Sequence, residues 1–169
     1  VELNVRGQKV LIEGKIDRAD IITVDSSGPD RVRIIDYKTG SDTVDVWKMI
    51  NGYKMQLMIY MISATSGDYE PAGIFYFNIR DQIQKFNGVD ETVPAGKSGV
   101  APQDVEAADL FKLDGIYVEE PGVREQMPPE ALSKSKCGCS AQEFDEIKSA
   151  VAEKIKEIAD GIVTGSIGI

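Results

Sequence analysis

Apolar and polar residues alternate from Val10 to Asp17: Val10, Ile12, Gly14 and Ile16 fall on one face, and Leu11, Glu13, Lys15 and Asp17 on the other. A period of two is what a half-buried β-strand imposes, and it predicts a long strand or hairpin arm over 8–24. The turn cluster Asp25-Ser26-Ser27-Gly28-Pro29-Asp30 separates this arm from a second strand over 31–38, so the two form a β-hairpin. In the second strand Val32, Ile34, Asp36 and Lys38 alternate with Arg31, Arg33, Ile35 and Tyr37. A row that begins apolar therefore ends in an acid and a base, placing that pair at a sheet end where the core opens. Thr39-Gly40-Ser41-Asp42 stops the strand, with Ser41 or Asp42 placed to cap the helix that follows.

From Val44 to about Ser63, Trp47, Ile50, Leu57, Met58, Met61 and Ile62 recur at helical spacing, which predicts one helix with a weak point at Asn51-Gly52. Trp47 and the methionines Met49, Met55, Met58 and Met61 are expected in the core. Tyr53, Gln56 and Tyr60, at i, i+3 and i+7, form a stripe of polar-tipped side chains on that helix. A third strand over 72–79 follows, and helix then strand suggests a crossover back into the sheet. Residues 87–140 read as a long irregular insertion whose apolar content lies in Leu110 to Val118. A closing helix over 141–162 carries Phe144, Ile147, Val151, Ile155, Ile158 and Ile162. The expected fold is α/β in the α+β sense: a central mixed β-sheet flanked by helices, one domain over 1–169 with its core in 8–80 and 141–163.

Composition narrows the chemistry. The chain has 169 residues, 42% of them hydrophobic, enough for a domain with its own core. No apolar stretch approaches the roughly 20 residues of a membrane span, and no basic-then-apolar leader opens the chain, so a soluble, cytoplasmic protein without membrane contact is expected. The chain contains no histidine, which excludes a histidine general base, a Ser-His-Asp triad and a histidine metal site within it. Its formal charge of −9 runs against a nucleic-acid binder, which normally shows a basic face. Either the substrate is not a polyanion, or the acidic charge lies away from the site and neighbouring parts supply the positive surface. Cys137 and Cys139 are too close for an unstrained disulfide and too few for a four-ligand zinc site, so free thiols in a surface loop are expected.

The i, i+2 spacing sends Asp36 and Lys38 to one strand face, and if the two strands pair as neighbours Asp17 arrives beside them. Two carboxylates suit a hard cation such as Mg²⁺, which takes oxygen ligands and leaves positions for water and phosphate. Asp17 and Asp36 would be ligands, the backbone carbonyl of Tyr37 a third, and Lys38 the group that orients water or offsets developing charge, equipment that fits phosphodiester hydrolysis. Glu13 reads better as an exposed strand residue than as a further ligand. Arg18 could touch substrate phosphate, although a salt bridge to a neighbouring carboxylate competes.

Gly14-Lys15-Ile16-Asp17-Arg18, then Ile35-Asp36-Tyr37-Lys38-Thr39-Gly40, then Gln56-Leu57 with Tyr60, resemble in order and spacing the PD-(D/E)xK nucleases of the RecB type. Phe111-Lys112-Leu113-Asp114-Gly115-Ile116, the closing helix and Gly161-Ile162 further resemble the C-terminal nuclease domains of AddB-type proteins in bacterial helicase–nuclease complexes. The resemblance implies a restriction-endonuclease-like core, Mg²⁺-dependent (or Mn²⁺-supported) exonuclease cleavage of DNA in double-strand break repair and recombination, and an AddA-type partner subunit. It places Asp17, Asp36, Lys38, Gln56 and Tyr60 at the site. It also implies an upstream helicase-like part, and an iron–sulfur cluster whose cysteines lie outside this segment; Cys137-Gly138-Cys139 does not match their spacing. A catalytically silent scaffold of the same fold, packed against partner subunits, is the alternative to an enzyme.

Overall fold

The computed structural model describes residues 1–24, 28–79, 111–127 and 138–166. It is an α+β fold in which a sheet of five strands, ordered β3-β4-β5-β6-β7, is covered by helices. The strands are β3 (Arg18–Ile22), β4 (Arg31–Lys38), β5 (Glu70–Ile79), β6 (Phe111–Val118) and β7 (Gly138–Cys139). β3 pairs antiparallel with β4, β4 parallel with β5, β5 antiparallel with β6, and β6 parallel with β7. The β3–β4 hairpin and the crossover from β4 to β5 are those the sequence predicts.

The arm over 8–24 is not one strand. β1 (Glu2–Val5) and β2 (Gln8–Leu11) form a separate hairpin around Arg6 and Gly7, both at positive φ, which is the backbone a two-residue hairpin turn demands. Ile12 still exchanges backbone hydrogen bonds with Val1, and residues 13–17 then run outside any strand to β3, with Ile12 and Ile16 packed on the core. Arg6 ties the hairpin to the closing helix through a 3.0 Å bond from Nη2 to Asp160.

The helix over 44–63 is likewise divided, into α1 (Val46–Ile50) and α2 (Gln56–Ala64). The break falls at the weak point: Gly52 has φ +90 and Lys54 φ +50, and left-handed residues end a helix. This resets the helical phase. Met49 faces inward, and Trp47, expected in the core, is 68% exposed. The cap of α1 is Asp45, which accepts from the Lys48 N–H at 3.0 Å, rather than Ser41 or Asp42, because the helix starts two residues later than its pattern.

Residues 111–118, placed by sequence in an irregular insertion, form β6, a strand between β5 and β7. Its apolar residues divide between both sheet faces, Ile116 and Val118 toward one cluster and Leu113 and Tyr117 toward the other, so no single alternating stripe announces it. The short helix α3 (Pro121–Arg124) brings Val123 against the second cluster. Residues 87–110 and 128–137 lie outside the described residues, Cys137 among them. Cys139 sits half-buried in β7 rather than in a surface loop, its thiol facing the Tyr117 carbonyl at 3.5 Å and pushed up to about 11 by burial.

α4 (Ala141–Thr164) starts on a capping box of Ser140 and Glu143 and ends at Gly165, φ +71. It packs Phe144, Val151 and Ile155 with Met49, Leu57, Met58 and Met61 over Val32, Ile34, Ile74 and Tyr76, so α1, α2 and α4 cover one sheet face. On the opposite side, Asp20 accepts from Arg18 Nε at 2.7 Å and Arg33 Nη2 at 2.6 Å. Burial pushes the Asp20 carboxyl up, and the bonds from the two arginines outweigh it, leaving it below its usual value. The stability this adds is complete above the unfolded carboxylate value, about 4, and is lost as pH falls through the lower folded value. Asp20→Asn should therefore flatten the acid limb of stability against pH in urea unfolding; superimposable acid limbs would show that the network adds nothing.

Candidate active site

β4 carries the row Val32, Ile34, Asp36, Lys38 on the helix-covered face, and the first two residues anchor it in the core. Asp36 remains in that wall, 3% exposed, one position beyond the apolar row. Lys38 is nearer the rim, its side chain 29% exposed, with Nζ 2.6 Å from Asp36 Oδ2. This is an ion pair by distance, while Oδ2 is enclosed without an aligned hydrogen-bond donor. The Asp36 carboxylate holds the Lys38 ammonium above its usual range, against burial, which lowers it.

The first turn of α2 faces this pair. Lys38 Nζ donates to Gln56 Oε1 at 3.2 Å, and Gln56 Nε2 donates to the Tyr60 hydroxyl at 3.0 Å. Gln56 thus uses its amide in a fixed sense, oxygen toward the ammonium and nitrogen toward the phenol. Tyr60 in turn lies over Gly14, where an added Cβ would stand 2.8 Å from the ring. The glycine of the first motif is therefore the space that the tyrosine of the third occupies. Tyr53, the remaining member of the expected stripe, lies in the turn between α1 and α2, 66% exposed and outside this network, because the helix break removes it from the helix.

Asp17 immediately precedes β3. The last β3–β4 pair is Arg18 with Ile35, so the next step along both strands brings Asp17 level with Asp36. Asp17 Oδ2 accepts the Tyr37 N–H at 3.1 Å. A strand residue points its N–H and C=O to the same edge, so the Tyr37 carbonyl faces the edge where Asp17 lies. Arg18 points elsewhere. It is engaged with Asp20 and the Tyr37 hydroxyl, which raise its pKa further, on the face opposite Asp36. Glu13 is exposed.

Two residues that sequence reading passed over hold the loop after β4. Asn78, 2% exposed, accepts from the Asp42 N–H and donates to the Asp42 carbonyl, both at 2.8 Å. Asp114 accepts from the Val44 N–H at 2.7 Å. The signal for both was a polar residue interrupting an apolar run, Tyr76-Phe77-Asn78-Ile79 and Leu113-Asp114-Gly115-Ile116. Asp42 also pairs with Lys54 at 2.8 Å, and burial raises the Tyr76 phenol beside them.

The donors gathered here are hard oxygens, two of them carboxylates from neighbouring strands at one sheet end, which fits a divalent cation. No group of three or more His, Cys, Asp or Glu side chains converges among the described residues. A cation would thus rest on two carboxylates with backbone and water, as Mg²⁺ accepts. No helix among the described residues is long and apolar enough to cross a membrane.

Residues 1–167 match the family model described as the PD-(D/E)XK nuclease superfamily. Relatives whose names identify them as one of the subunits of an ATP-dependent helicase/deoxyribonuclease are similar over 96% of this chain. The protein of Clostridium perfringens (strain ATCC 13124) is 31% identical, and those of Caldanaerobacter subterraneus subsp. tengcongensis and Alkaliphilus metalliredigens are each 26% identical. The chain spans 15% of the length of each of these curated relatives.

Proposed function

This chain belongs to the PD-(D/E)XK nuclease superfamily, and from that premise we propose that the sheet-end cluster is the centre of a Mg²⁺-dependent DNA exonuclease. It would work within a cytoplasmic bacterial helicase–nuclease complex that repairs double-strand breaks by recombination, together with an AddA-type partner. The observation that carries the reading is the unbroken contact chain Asp36–Lys38–Gln56–Tyr60, with Asp17 fastened to the next residue, Tyr37. These are the residues that the resemblance implies for the site, and they come from separate elements to one sheet end.

Asp17, Asp36 and the Tyr37 carbonyl would hold the cation. Bound there, Mg²⁺ supplies Lewis acidity toward a phosphoryl oxygen and lowers the pKa of a coordinated water. Lys38, kept charged by Asp36, stabilises negative charge growing on the phosphoryl oxygens. Gln56 aims the ammonium, Tyr60 fixes Gln56, and Gly14 leaves room for Tyr60. The formal charge of −9 fits a domain to which attached motor parts deliver the strand rather than one that captures DNA by itself.

The protein carrying this chain is expected to degrade linear DNA with Mg²⁺, to stop when EDTA removes the metal, and to lose cleavage on Asp17→Ala. Calorimetric Mn²⁺ binding by the chain should weaken in the same variant. Undiminished cleavage by Asp17→Ala would refute the site. A protein that neither binds Mn²⁺ nor cuts would instead be a silent scaffold of this fold.

A further inference from the structure

Asp36 is paired across the parallel β4–β5 ladder with Tyr76. Neighbouring residues in register share a sheet face, so the Tyr76 ring lies on the side of Asp36 and Lys38. It is 3% exposed and belongs to the same core cluster as Ile34, Leu57 and Met61, which denies it other positions. Lys38 Nζ stands over this ring, 5.5 Å from its centroid. The ammonium is thus bounded by a carboxylate, an amide oxygen and an aromatic face. Asp36 and Gln56 each hold it through one atom, and neither limits how far the flexible four-carbon stem can drop toward the sheet. A rigid ring beneath it does, and the negative face of the ring attracts the cation without supplying an acceptor that would draw its protons from Gln56 or substrate.

We propose that Tyr76 is a positioning residue for Lys38: its ring face is the floor on which the ammonium rests, and its hydroxyl is dispensable. As far as it concerns cleavage, this rests on the nuclease reading above. It differs from simple core packing, which would require a bulky apolar residue of any shape.

Tyr76→Phe keeps the floor and Tyr76→Leu removes it. In the protein carrying this chain, Tyr76→Phe should cut DNA at close to the wild-type rate. Tyr76→Leu should lower kcat by about tenfold to a hundredfold, the scale of a misplaced catalytic group, with little change in KM. An independent readout needs no activity: the ε-methylene protons of Lys38 should resonate upfield from the ring current in the wild type and in Tyr76→Phe, and return toward exposed-lysine values in Tyr76→Leu. Tyr76→Met, flexible and non-aromatic, substitutes should the leucine variant not fold. The proposal is overturned if wild-type Lys38 shows no upfield shift, or if a folded Leu or Met variant retains wild-type kcat. A wild-type protein that shows the shift and cuts no DNA would instead refute the nuclease reading and leave the floor standing.

Discussion

Lys38→Ala is expected to abolish cleavage and also to destabilise the metal-free protein by about 3–5 kcal/mol, whereas Asp36→Asn abolishes cleavage at a much smaller stability cost. The asymmetry follows from burial. Asp36 is 3% exposed, and removing Lys38 leaves an enclosed carboxylate without its counter-charge. Removing the charge of Asp36 leaves an ammonium that is near the rim, bonded to Gln56 and able to turn toward water. Cleavage should fall by about three orders of magnitude in both variants, the scale seen when a preorganised charge is lost from a site. Urea unfolding separates the two effects. Mg²⁺ should restore more stability to Lys38→Ala than to the wild type, because a cation bound only by the folded state stabilises it by mass action and here meets an unpaired carboxylate. Equal unfolding midpoints for the two variants would remove the basis for treating Asp36 as a buried charge held by Lys38.

Gly115→Ala is expected to cost more than about 4 kcal/mol, a loss that only a few named mechanisms produce. Gly115 stands opposite Phe75 in the β5–β6 ladder. A Cβ there would lie 2.0 Å from the Ile74 carbonyl oxygen and 2.9 Å from the Phe75 Cα, backbone atoms that cannot move without opening the ladder. The neighbouring Asp114 holds the Val44 N–H, so the loop behind the active site should loosen along with the strand pair. Gly67→Ala, where nothing lies within 4 Å, serves as the control. A Gly115→Ala protein with the unfolding midpoint of the control would refute the close approach of β5 and β6 at this position.

Both results bear on how far this chain can be read without coordinates. The Asp36–Lys38 pair was legible because a strand's period of two is local: it depends on the backbone of three consecutive residues and on nothing distant. The β3–β4 hairpin and the crossover to β5 were legible for the same reason, each resting on periodicity bounded by turn residues. β6 was not, since a strand covered on both faces loses the alternation that marks a strand and Gly115 interrupts it. Trp47 was misplaced because helical phase is inherited along a helix only while it continues; Gly52 and Lys54 end that inheritance at one turn.

By itself the sequence determined which chemical groups exist and which neighbours along the chain share a face: oxygen donors and an ammonium in place of any histidine chemistry, with Gln56 and Tyr60 one helical turn apart. Tertiary structure decided everything that depends on distance across the chain. It set Asp17 on the Tyr37 N–H, Gln56 on Lys38, Tyr60 over Gly14 and Tyr76 beneath the ammonium, and it turned Arg18 to the other face, toward Asp20. The reason is physical. Periodicity is a property of backbone geometry repeated residue by residue, while a site is made where separate elements meet, and that meeting is fixed by how their apolar faces pack.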